Sequence, residues 1–257
     1  MNPDNTVVLK KRVVLVTGGG RGIGAATVRL ASQRGWSVCI NYRNKDTEAK
    51  KLADEINQSG GTAIPIKADV SREADVISLF DTVDAELGMI HALVNNAGII
   101  APQSQLVDVS AGRLRKIFDT NVVGSFLCAR EAVKRMSVSR GGSGGSIINL
   151  SSSAARIGSP NEFIDYAASK GAIDTMTLGL SKEVAEEGIR VNAVRPGLIE
   201  TEMYLDTGDI HRLQKLREWV PMKRVGSSSE VANTIVWLMS DDASYITGAL
   251  VDVAGGR

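Results

Sequence analysis

The run VVLVT at Val13–Thr17 passes directly into GGGRGIGAATVRLA, which ends at Ala31. A continuously apolar strand, a bend carrying Gly18, Gly22 and Gly24, and an amphipathic helix therefore follow one another without a linker. Few folds tolerate that order. Three glycines weaken a helix start unless the backbone must turn tightly and approach something closely. Backbone N–H groups at the opening of a helix suit a pyrophosphate, because they point at it from the positive end of the helix. This context, strand then turn then helix, is what a dinucleotide-binding turn requires.

The same alternation continues to the end of the chain. Strands are expected at Arg12–Val16, Ser37–Tyr42, Thr62–Lys67, Ala92–Asn95, Ser146–Leu150, Arg190–Val194 and Ala249–Val253. Several are apolar throughout, as in parallel strands covered on both faces. Helices are expected at Ile23–Arg34, Thr47–Ser59, Glu73–Leu87, Leu114–Arg135, Tyr166–Glu187 and Glu230–Ser240, with Gly60 and Gly188 as C-terminal caps. The pattern predicts an α/β fold: a Rossmann-like, doubly wound sheet of about seven mostly parallel strands with helices on both faces. Residues 1–10 read as a polar tail and residues 11–257 as a single domain. The Gly/Ser run at Arg140–Ser146 has the length of a surface loop. With 30 basic and 29 acidic residues, no charge excess points to nucleic acid or an anionic membrane. Cys39 and Cys128 lie in apolar stretches and read as buried free thiols of a cytoplasmic protein, and no Cys/His cluster suggests a metal. No apolar run approaches a membrane span.

The end of the second strand addresses the cofactor's ribose. Binding of NAD commonly uses a carboxylate about 20 residues beyond the glycine turn. Here the chain reads Asn41-Tyr42-Arg43-Asn44-Lys45. Arg21 and Arg43 suit a 2′-phosphate instead, since a guanidinium matches phosphate oxygens. NADP(H) is favoured over NAD(H). Further along, Tyr166 and Lys170 stand four apart, on one face of a helix. A free phenol has a pKa of about 10. An ammonium at about 4 Å is worth roughly 4 kcal/mol at an effective dielectric of about 20, enough to bring the phenol toward neutrality and make it a general acid/base.

Taken with Asp69-Val70, Asn95-Asn96-Ala97-Gly98, Asn121, Ser151–Ser153 and Arg195-Pro196-Gly197, these motifs stand in the order of the classical short-chain dehydrogenase/reductase family, which the chain resembles over nearly its whole length. The likeness extends to its glucose-dehydrogenase-like and ketoacyl-reductase-like members. It implies that Tyr166 exchanges a proton with the substrate oxygen, that Lys170 lowers the phenol's pKa and holds the nicotinamide ribose, and that Asn121 holds a water in a proton relay. Asn121 has another reading, as a side chain satisfying a helix kink or a backbone group. Gly18, Arg21, Gly22, Ile23, Gly24, Asn41 and Arg43 would bind the cofactor. Asp69 and Val70 would border the adenine, Asn95, Ala97 and Gly98 would line the cleft, and Pro196, Gly197, Ile199 and Thr201 would face the nicotinamide. The family's serine commonly lies 13 positions before the tyrosine, at Ser153. Alignment on the strand end gives Ser152, which is preferred because the strand fixes where the side chain points. The resemblance also implies a homotetramer, with the last strand at a subunit interface.

Residues 198–225 contain Met203, Tyr204, Leu205, Gly208, Trp219, Val220 and Met222 and suit a lid over substrate, with Glu162 and Phe163 also facing it; helix packing is the other reading of the apolar residues there, and the one that fits Leu213 and Leu216. The expected activity is interconversion of an alcohol and a carbonyl on a small molecule. Two other readings stand beside it: a carrier-bound 3-ketoacyl reductase docking through Arg113, Arg115 and Lys116, and a non-catalytic sensor of NADP(H).

Overall fold

The computed structural model describes residues 12–203 and 216–257. Its strands are β1 (Val13–Val16), β2 (Ser37–Tyr42), β3 (Thr62–Lys67), β4 (Ile90–Asn95), β5 (Gly145–Leu150), β6 (Ile189–Pro196), β7 (Ile199–Glu200), β8 (Gly226–Ser227) and β9 (Leu250–Val253). Seven of them form one parallel sheet in the order β3-β2-β1-β4-β5-β6-β9, and β7 pairs with β8 beside it. The helices are α1 (Gly22–Gln33), α2 (Asp46–Gln58), α3 (Glu73–Glu86), α4 (Ala111–Phe118), α5 (Gly124–Met136), α6 (Ala154–Ile157), α7 (Ile164–Glu183) and α8 (Ser228–Met239). This is the doubly wound α/β architecture that the alternation predicts.

Strand side chains alternate between faces, so each buried strand feeds two cores. Val14, Val16, Val38, Ile40, Val94 and Ile148 meet α1, α2 and α8 on one face. Val13, Leu15, Cys39, Leu93, Ile147 and Val191 meet α3, α5 and α7 on the other. Register keeps Leu15, Leu93, Ile147 and Val191 in one row across four strands. Gly60 follows the end of α2 with φ of 82°, whereas Gly188, with φ of 71°, closes a 3-10 turn at Ala185–Glu187 that comes after α7 has ended at Glu183. The opening of α8 carries a full capping box, Ser227 with Glu230.

Two details depart from the sequence pattern. The single helix expected at Leu114–Arg135 is split into α4 and α5 by a π-helical turn at Asp119–Val123. The lid expectation falls partly on Tyr204, Leu205 and Gly208, and the helix-packing reading partly on Leu213; these lie outside the described residues, as does the N-terminal tail. Of the remainder, Val220 is buried and Trp219 and Met222 are exposed. Because β1 and β4 are neighbours while the chain runs outward from them in opposite directions, the crevice at their carboxyl ends is the switch point where ligands bind in such sheets.

Candidate active site

Hydrogen bonds stitch the two strand ends together at that switch point. The Thr17 hydroxyl accepts the amides of Asn96 and Ala97, each at 3.0 Å. The Asn96 side chain returns two bonds, to the carbonyls of Thr17 (2.8 Å) and Gly18 (3.0 Å). Gly18 has φ of 60°, and a Cβ there would lie 3.1 Å from Ala97 Cα. A Cβ on Gly24 would lie 2.5 Å from the Gly18 carbonyl oxygen. Helix α1 is thus pressed onto the turn more closely than any side chain allows. It starts without a side-chain cap or an acidic residue in its first turn, so its N–H groups and positive end face the cleft.

On one side of the turn is a cavity of about 270 Å³ lined by Gly18, Arg21, Gly22, Ile23, Asn41, Arg43, Lys45, Asp69, Val70, Ala97, Gly98 and Thr201, among others. Asn41 is buried and holds the corner, accepting from Gly18 N (3.3 Å) and donating to the Ala68 carbonyl (3.0 Å). Arg43 stands 3.6 Å from the Asp69 carboxylate, and Arg21 stands 3.8 Å from Glu202. Burial pushes the Asp69 carboxyl up, but the hydroxyl and amide of Ser71, with Arg43, carry it below its ordinary value. A pyrophosphate-bearing dinucleotide fits this lining: a glycine cradle, an uncapped helix start, and basic groups at the far end.

On the other side is a cavity of about 330 Å³ that shares Ile23, Asn96, Gly98, Thr201 and Met203 with the first. Ser151, Ser152, Ser153, Tyr166, Lys170, Pro196, Gly197 and Ile199 line it. Lys170 is 5% exposed, donates to the Leu150 carbonyl at 2.6 Å, and lies 5.7 Å from the centre of the Tyr166 ring. Burial lowers its pKa from 10.5 to about 8 against the pull of Asp174. The Ser152 hydroxyl oxygen accepts the Ala154 amide at 3.1 Å, and the Ser151 hydroxyl donates to the Lys170 carbonyl. Asn121 is fully buried: its amide oxygen accepts Ile99 N (2.8 Å), and its NH₂ donates to the Ile99 carbonyl and the Ser169 hydroxyl.

The matching family model, described as enoyl-(acyl carrier protein) reductase, covers residues 18–257. The chain is 51% identical over 245 residues to the uncharacterized oxidoreductase YgfF of Escherichia coli, spanning 95% of this chain and 99% of that one. It is also 36% identical to glucose 1-dehydrogenase 2 of Bacillus subtilis, over 96% of this chain and 95% of that one. The chain belongs to the classical short-chain dehydrogenase/reductase family. Among solved structures, a dehydrogenase/reductase from Sinorhizobium meliloti superposes with a TM-score of 0.89 at 29% identity, covering 96% of this chain and 95% of that one.

As a short-chain dehydrogenase/reductase, the protein is an oxidoreductase of the type that uses a nicotinamide dinucleotide. Most residues expected at its cleft line one cavity or the other, and three do not. Asn95 continues β4 and turns inward, bonding the Ser125 carbonyl and the Asn149 side chain; its neighbour Asn96 holds the place in the cleft. Gly24 packs beneath the turn and lines neither cavity. Asn121 sits behind the wall, and its side chain satisfies the backbone of Ile99, the alternative its sequence context raised. It stays near the centre all the same, because a Cβ on Gly98 would lie 3.5 Å from both Asn121 Oδ1 and Lys170 Nζ. Sequence reasoning missed Thr17 and Asn96 as the stitch between strand ends. Strand alternation was the available signal, since it puts Asn95 on the face of Leu93.

Proposed function

We propose that the protein interconverts an alcohol and a carbonyl on a small molecule, with NADP(H) favoured over NAD(H) and Tyr166 as the general acid/base. The observation that carries this reading is the convergence of Tyr166, Lys170 and Ser152 on one cavity continuous with the glycine cradle. When bound, the cofactor supplies or accepts the hydride. Everything else falls to the chain's own side chains. Ser152 spends an acceptor position on the Ala154 amide, which leaves its proton to hold the substrate oxygen. Tyr166 passes a proton to or from that oxygen. The buried Lys170 ammonium stabilises negative charge as it develops beside it. Asn121 fixes the π turn and the Ile99 backbone, supporting a relay behind Lys170.

Arg21 and Arg43, with Lys45, support the NADP preference at the far end of the first cavity. Exposed Leu106, Val107 and Phe126 support a homotetramer, and the two buried free cysteines support a cytoplasmic location. The carrier-bound reading is less favoured, because Arg113 is committed to Asp165, which leaves Arg115 and Lys116 as the exposed members of that basic trio.

Titration of purified protein with NADPH, NADH and a panel of carbonyl compounds tests the reading. Tyr166→Phe should lower kcat by about 100- to 10,000-fold while cofactor binding persists. Undiminished turnover in that variant would remove Tyr166 from the chemistry.

A further inference from the structure

Tyr166 and Lys170 are not held alike. Lys170 lies a full turn inside α7 and is anchored to β5 through the Leu150 carbonyl. Tyr166 is the third residue of the helix, in the turn where helices fray. The helix starts without a side-chain cap, and the segment before it is irregular, with Ser159 and Asn161 at φ of 45° and 60°. The backbone bond from Ala167 N to the Phe163 carbonyl (2.9 Å) closes that turn, and side chains then attach the turn to its surroundings.

Asp165 supplies the attachment. Its carboxylate is 1% exposed, and Oδ1 accepts the Tyr166 amide at 3.0 Å. Arg113 of α4 grips the same carboxylate with both arms of its fork, Nε to Oδ2 at 2.6 Å and Nη2 to Oδ1 at 3.1 Å. Its remaining arm, Nη1, donates to the Pro102 carbonyl at 2.7 Å. Next to it, Ser104 N bonds the Glu162 carbonyl (3.0 Å) and the Gln103 side chain bonds the Glu162 carboxylate (3.1 Å). The loop after β4 is thereby clasped to the segment that enters α7. Both sides of the clasp wall the second cavity, through Ile100 on one and Glu162 and Phe163 on the other.

We propose that Arg113 is a positioning residue for Tyr166, its guanidinium clasping the loop after β4 to the first turn of α7 and so fixing both the phenol and one wall of the substrate cavity. This rests on the proposed role of Tyr166. A buried ion pair adds little net stability over apolar packing, but its bidentate geometry specifies one arrangement. Lysine keeps the charge and loses the fork. A displacement of about 1 Å at a reacting group costs on the order of 100-fold in rate.

The experiment uses two conservative variants, Arg113→Lys and Asp165→Asn, so that a failure of one to fold does not end it. For each, kcat is expressed per NADPH-binding site, alongside KM, the NADPH dissociation constant and amide hydrogen exchange across residues 162–168. The expected result is a fall in kcat of about 10- to 100-fold, NADPH affinity within about twofold of wild type, and faster exchange in that segment. A merely structural role would lower the number of binding sites and leave kcat per site alone. Overturning results are kcat per site within twofold of wild type in the folded variants, or unchanged exchange at residues 162–168. Exchange is read without turnover, and Tyr166→Phe is run beside it, so failure of the clasp and failure of the acid/base reading give different patterns.

Discussion

Lys170 should make the protein less stable at neutral pH than it would be without it. Its pKa in the fold is about 8 against 10.5 in the unfolded chain, because burial penalises the ammonium. At about 1.36 kcal/mol per pH unit, the gap represents about 3 kcal/mol set against folding wherever the group is charged in both states. A pKa lowered by folding means that the unfolded chain binds the extra proton between about pH 8 and 10.5, so stability rises with pH across that window. Below it the cost is present in full; above it the cost is gone. Between pH 7 and 9.5 the linkage relation gives a rise of about 2 kcal/mol from this group alone. Lys170→Met removes the titration. Other lysines titrate alike in both proteins and cancel in the difference; the bond to the Leu150 carbonyl that the variant loses offsets the difference equally at both pH values and drops out of its change with pH. Denaturant unfolding of both apo proteins near pH 7 and again near pH 9.5, at fixed ionic strength, should show the stability of wild type relative to the variant rising by about 2 kcal/mol at the higher pH. A difference that does not change with pH would refute the claim that a buried ammonium occupies this site.

Three further outcomes are expected. Thr17→Val leaves the Asn96 and Ala97 amides without their acceptor, at about 1–3 kcal/mol each; a thermal midpoint unchanged from wild type would show that the stitch carries no stability. Ser152→Ala should lower kcat by about 100-fold, whereas Ser153→Ala, at a residue held through its backbone amide to the Pro196 carbonyl, should lower it only a few-fold; equal losses would contradict the assignment. Arg43→Leu should reduce the ratio of kcat/KM for NADPH over NADH by about tenfold, the worth of a charge-assisted bond, and an unchanged ratio would point to Arg21 and Lys45 instead.

Strand positions were legible because burial on both faces forces long apolar β-branched runs. The bounds of β2 and β3 agree with the expected strands to the residue, although β3, at the edge of the sheet, is only partly buried. The split between α4 and α5 was not legible. A π turn changes which backbone groups pair without changing the polarity of the side chains, so the stretch FDTNVVGSFLC keeps a helical rhythm across it. The asparagine that a kink would need was visible there, but the Ile99 backbone it satisfies lies 22 residues away. The Arg113–Asp165 clasp spans 52 residues and joins α4 to the first turn of α7. No local pattern distinguishes that arginine from its exposed neighbours Arg115 and Lys116. The tyrosine, lysine and serine positions were legible because their spacing is set by one helix and one strand end, while Asn95 at the end of β4 and Asn96 just after it needed the strand's two-residue period to be carried one step further.

The inner face of α7 explains why so much polarity is buried at the centre. An ordinary helix on a sheet would present an apolar stripe. This one buries Ser169, Lys170, Asp174, Thr177 and Ser181 as well as Ile173 and Met176. Thr177 accepts from Asn149 of β5, Ser169 accepts from Asn121 and donates to the Tyr166 carbonyl, and Asp174 accepts two bonds from Arg195 of β6. Apolar contacts tolerate small rotations of a helix about its axis, since one methyl serves nearly as well as another. Hydrogen bonds do not, because each is lost within a short displacement and leaves a buried group unsatisfied. One residue of slip turns an α-helix by about 100°, which would carry Tyr166 out of the cavity and Lys170 away from Leu150. The buried polar groups therefore exchange packing energy for a single rotational setting of α7, and that setting keeps phenol and ammonium on the same wall of the cleft.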